Sequence, residues 1–155
     1  MKRRARSRKP STFAKKAKPS AISHAPVAGM PRIGLASSVQ RVVPQEWTIA
    51  AFDARLPPVL STPAMIGMME IAAAQAVQLE LPSGAITVGT RIEVDHLKAV
   101  TDGATVRAAA RLVGYQGRFL VFEVEARSGD LVLGRGRVFR AIVDNRKFPM
   151  PANEK

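Results

Sequence analysis

A chain of 155 residues of which 46% are hydrophobic has the size and apolar content of one domain with a core of its own. It contains no cysteine and only two histidines, so thiolate nucleophiles, disulfides and thiolate-bound zinc are excluded, a multi-histidine metal site is not expected, and any nucleophile comes from oxygen or water. The net charge of +12 resembles a nucleic-acid signal, but nine of the 24 Lys and Arg precede residue 29 with no acid among them, which leaves 15 basic against 12 acidic residues and a nearly balanced remainder.

The chain therefore divides into a basic extension over 1–33, a domain over 34–148 and a short tail over 149–155. The extension, beginning Met1-Lys2-Arg3-Arg4-Ala5-Arg6, is rich in Lys, Arg, Ser and Pro and cannot bury enough apolar surface to fold, so it is expected to be disordered. Its acid-free, Arg-rich composition fits a solvated arm, an organellar transit peptide, or an extension ahead of a start at Met30. The expected compartment is the cytoplasm, or an organellar matrix on the transit-peptide reading. No run of 18 apolar residues is present, and no membrane span is predicted.

Beyond the extension, Ser37–Val43 reads as a first strand closed by Pro44. The stretch from Glu46 to Ser61, with Trp47, Phe52 and Pro57-Pro58, reads as an irregular loop. Thr62-Pro63 opens a helix, with Thr62 as N-cap and Pro63 at the first helical position, and Leu81-Pro82-Ser83-Gly84 closes it. This helix is apolar almost all round, which is the pattern of a core helix. From Leu56 through Leu79 its only formal charge is Glu70. A carboxylate in such surroundings is either neutralised by a partner or kept to handle protons.

Four strands follow. In the segment from Ile86 to His96 the alternation places Ile86, Val88, Ile92, Val94 and His96 on one face and Arg91, Glu93 and Asp95 on the other. The next runs are 104–113, 118–126 and 131–143, joined by Thr101-Asp102-Gly103, Gly114-Tyr115-Gln116-Gly117 and Ser128-Gly129-Asp130, which carry turn chemistry. One strand, a long buried helix and an antiparallel meander predict an α+β fold with a sheet wrapped around the helix, the element order of a hotdog fold. The open sheet edge predicts a homodimer.

Thr62, Glu70 and His96 supply a hydroxyl, a carboxylate and an imidazole, the parts of acyl-transfer chemistry. Their segments, Leu60–Glu70, Val88–His96 and Gly134–Asp144, resemble the fluoroacetyl-CoA thioesterase type of hotdog protein, and the resemblance spans most of 36–148. It implies hydrolysis of acyl-CoA by a homodimer, with Thr62, Glu70 and His96 as the catalytic group, Gly89 near the acyl group and Arg140 close to the active site. It implies no cofactor. The family's Phe-containing lid has no counterpart aligned with Thr48–Pro58, so the substrate is expected to be a small or medium acyl-CoA of undefined acyl group. Two other readings remain open: an acyl-CoA-sensing module without turnover, and a hotdog hydratase or dehydratase. No helix-turn-helix or other nucleic-acid-reading element is present, and no nucleic-acid partner is expected.

Overall fold

The computed structural model describes residues 20–148. Strand β1 (Ala36–Val42) leads through two short 3-10 turns to helix α1 (Thr62–Val77), and four strands follow: β2 (Ala85–His96), β3 (Thr105–Gln116), β4 (Phe119–Ser128) and β5 (Leu131–Asp144). All neighbours pair antiparallel in the order β1-β3-β4-β5-β2. The sheet curves around α1, which is the hotdog architecture.

Helix α1 begins one residue earlier than Thr62 predicts. Ser61, buried and with extended backbone, is the N-cap and accepts from the Ala64 N–H at 3.4 Å. Thr62 thus becomes the first helical residue and Pro63 the second, a position where the missing N–H of proline costs nothing. The consequence is chemical: the Thr62 hydroxyl is released from capping. Met65, Met68, Met69, Ala72, Ala73 and Val77 face the sheet with at most 1% exposure, and each buried methionine contributes about 1.5–3 kcal/mol. Small partners let the helix approach closely. At Gly134 a Cβ would lie 2.5 Å from the Met65 side chain and 2.7 Å from the Asp95 carbonyl oxygen, so a larger residue would force helix and strand apart.

The alternation predicted for the second strand is interrupted. A bulge between Gly89 and Arg91 shifts the register against β5, so that Ile92, Val94 and His96 lie opposite Val138, Gly136 and Gly134 on the helix side. Ile86 and Val88 pair with Val143 and Ala141 and fall on the opposite face. The same bulge turns Thr87 and Gly89 toward the helix. Thr90, the extra residue, donates its hydroxyl to the Phe139 carbonyl at 3.0 Å.

Residues 1–19 and 149–155, most of the expected extension and the whole of the expected tail, lie outside the described residues. Between 20 and 35, where the sequence predicts an extension as far as 33, the chain is docked along β3. Strand β1 covers β3 only from Thr105 to Arg111, which leaves the edge of the last five residues open. Gly34 N–H donates to Leu112 O, Leu112 N–H to Leu35 O, and Ser23 exchanges two backbone bonds with Tyr115, all at 2.8–2.9 Å. His24 Nδ1 lies 2.7 Å from Val113 O, and the buried Tyr115 hydroxyl donates to Pro31 O at 2.6 Å. The irregular composition of this segment, broken by Pro26, Gly29, Pro31 and Gly34, hides its role, because most of its bonds to β3 are made by backbone and protect a strand edge.

Burial holds the Tyr115 phenol above its ordinary value of 10.0, with the Glu80 charge adding to the effect. The raised value means that stability from the neutral phenol is complete below pH 10 and is lost as the pH climbs beyond it. Tyr115→Phe should cost about 1 kcal/mol near neutrality. Urea unfolding at pH 7 and pH 11 should show the wild type losing this advantage at the higher pH.

Candidate active site

Thr62, Ile66 and Glu70 succeed one another at i, i+4 and i+8 and form one stripe of α1. At its N-terminal end, Thr62 Oγ1 and His96 Nδ1 are 2.8 Å apart. With the hydroxyl donating, the imidazole proton sits on Nε2. That nitrogen is buried and has no hydrogen-bond partner among the described residues. The pair exists because the cap is Ser61, which frees the threonine, and because the bulge in β2 sets the parity of His96.

Eight residues on, Glu70 faces β5 and β2. Its Oε2 lies 2.7 Å from Arg140 Nη1, with side-chain exposures of 25% for Glu70 and 7% for Arg140. Nη1 is off the hydrogen-bond direction, so the contact is an ion pair rather than an aligned bond. The guanidinium is fixed by Thr87: Nε donates to its hydroxyl at 2.9 Å and Nη2 to its carbonyl at 2.8 Å. Glu70 Oε1 is buried and has no hydrogen-bond partner among the described residues. One carboxylate oxygen is therefore held by the buried cation and the other is free to take a proton.

Gly89 stands against the same carboxylate, where a Cβ would collide with Glu70 Oε2 and lie 2.9 Å from its Cδ. The missing side chain is what admits Glu70 to the sheet. The structure thus joins the five predicted positions as two groups, Thr62 with His96 and Glu70 with Arg140 and Gly89. No direct bond links them within the chain, and at about 1.5 Å per residue the backbones of Thr62 and Glu70 are roughly 12 Å apart along the helix. Thr87 is the residue that the sequence does not reveal: an unbroken alternation puts it on the far face, and only the bulge turns it to Arg140. Among the described residues no three His, Asp or Glu side chains group as a metal site, and no helix is long and apolar enough to cross a membrane.

The sequence pattern of the fluoroacetyl-CoA-specific thioesterase family matches residues 43–146. A fluoroacetyl-CoA thioesterase from Streptantibioticus cattleyicolor is 33% identical over 118 residues, covering 76% of this chain and 82% of that protein. The structure superposes on a solved fluoroacetyl-CoA thioesterase with a TM-score of 0.70 and 33% identity, covering 76% of this chain and 91% of the other. It also superposes on a thioesterase superfamily member from Thermus thermophilus, with a TM-score of 0.69 and 27% identity over 76% of this chain and 88% of that one.

Proposed function

The chain belongs to the fluoroacetyl-CoA-specific thioesterase family, and on that premise we propose that it hydrolyses a small or medium acyl-CoA with Thr62, Glu70 and His96 as its catalytic group. The observation that carries this reading is the presence of two buried atoms without a partner among the described residues, Oε1 of the Glu70 carboxylate and Nε2 of the His96 imidazole. Glu70 Oε1 takes a proton from water as the water oxygen attacks the thioester carbonyl. As the carbon–sulfur bond breaks, His96 Nε2 gives its proton to the departing CoA sulfur and takes up the one that Glu70 holds, so both groups return to their starting states and the acyl group leaves as the carboxylic acid. Thr62 holds the imidazole in the tautomer that makes Nε2 the donor. Arg140 neutralises the carboxylate on the side away from the reaction. The backbone N–H near Gly89 is the candidate donor to the developing oxyanion, since nothing on that residue blocks approach.

We read the protein as a homodimer formed through β2, whose outer edge is free among the described residues and exposes Thr90, Arg91, Ile92 and Glu93. Antiparallel pairing of two such edges, centred on Glu93, would set Ile92 opposite the partner's Val94 and, with Thr90 extruded at the bulge, His96 opposite the partner's Gly89. Glu70 stands against Gly89, so the two halves of the catalytic group would meet across the interface and the 12 Å gap within one chain would close. The basic residues before 20 take no part in this chemistry.

Thiol release from a panel of acyl-CoA esters tests the proposal. Full-length protein, and a truncation beginning at Ser20, should both release CoA from at least one ester at similar rates. Binding of acyl-CoA without release would establish a sensing module instead. Loss of turnover on truncation would show that the extension belongs to the machinery.

A further inference from the structure

A groove of about 290 Å³ runs along α1 and is lined by Trp47, Phe52, Ala64, Gly67, Met68 and Ile71. We infer that it holds the acyl chain of the substrate and that Gly67 sets the chain length accepted, an inference that rests on the hydrolase reading above. Its position comes first. Pro63, Gly67 and Ile71 each follow a residue of the Thr62, Ile66, Glu70 stripe by one, so they lie about 100° round the helix and form the neighbouring face. Ser61 and Pro63, on either side of Thr62, also line the groove, which joins it to the Thr62–His96 end of the site.

The lining gives the ligand's character. Among the described residues Glu46 is its only charged side chain, so a carboxylate or phosphate in the groove would meet repulsion and no cation from them. The walls are apolar: Phe52 is 72% exposed and Ile71 47%, and an aliphatic chain laid between them would remove both from water. At Gly67 a Cβ would meet nothing within 4 Å, so the floor of the groove is open at the one helix position without a side chain. A helical glycine costs about 1 kcal/mol relative to alanine, and here no packing contact requires it. The occupant that fits is a medium-length, uncharged aliphatic acyl group.

S-alkyl-CoA thioethers, which cannot be hydrolysed, separate this inference from the hydrolase reading. Trp47 is the only tryptophan in the chain, so its fluorescence reports on the groove directly. Each methylene taken fully out of water is worth about fourfold in affinity. In the wild type S-hexyl-CoA should bind on the order of tenfold more tightly than S-ethyl-CoA, the open side of the groove reducing the full effect. Gly67→Ala should keep that ratio and raise the melting temperature. Gly67→Leu should bring the ratio close to one while leaving S-ethyl-CoA binding within about threefold. Equal affinities for the two thioethers in the wild type would overturn the inference, as would an unchanged ratio in Gly67→Leu. If a second copy covers the groove instead, Gly67→Leu will lower the dimer mass in light scattering without a chain-length effect, and the inference again falls. Tight S-hexyl-CoA binding by a protein that turns over no ester would support the groove and overturn the hydrolase reading.

Discussion

Glu70→Gln should lower CoA release by about 10²–10⁴-fold, the range expected when a general base is removed. Glutamine keeps the shape of the side chain and still offers an oxygen toward Arg140, but it cannot accept a proton from water. The change also leaves the guanidinium, 7% exposed, without its counter-charge. Because the Glu70 side chain keeps 25% of its exposure, the loss of stability should fall below that of a fully buried pair, at about 1–3 kcal/mol. Adding Arg140→Met removes the orphaned cation. The double variant should therefore recover melting temperature without recovering turnover, whereas a structural role for Glu70 would let the two recover together.

His96→Ala should reduce turnover by about 10²–10³-fold while changing stability little. The imidazole makes one side-chain bond, to the hydroxyl of the exposed Thr62, and its Nε2 bonds to nothing among the described residues. A core histidine would behave differently, losing stability and activity in proportion. Thr62→Ser retains the hydroxyl and should retain most of the rate. Thr62→Ala frees the imidazole to rotate or change tautomer and should fall between the two. A pH profile distinguishes this positioning role from packing, since loss of the Thr62 bond should move the profile of kcat/KM as well as its height.

The main lines of the fold were legible because they rest on period and punctuation. A helix apolar on nearly every face must lie in a core, and strands joined by Gly-containing turns form a meander, so the element order could be read before any contact was known. Glu70 was legible as a lone charge in that helix. What escaped was anything controlled by a single residue. The Ser61-Thr62-Pro63 sequence permits a cap at either hydroxyl, and the choice depends on which one His96 engages. The alternation from Ile86 to His96 is unbroken, so nothing but a glycine hints at the bulge. Yet that extra residue reverses the faces of Ile86 and Val88 and turns Thr87 toward Arg140. The docked segment from 20 to 35 escaped for another reason: backbone hydrogen bonds leave no compositional trace.

Subunit mixing tests most directly the claim that Glu70 and His96 act on one thioester. Glu70→Gln and His96→Ala homodimers, each nearly inactive, should regain CoA release when their subunits are exchanged, because one of the two sites in a heterodimer then keeps both residues intact. Random exchange makes about half the dimers mixed, and recovery should approach roughly a quarter of the wild-type rate. Verified exchange with no recovery would contradict the account and place the whole catalytic group within a single chain.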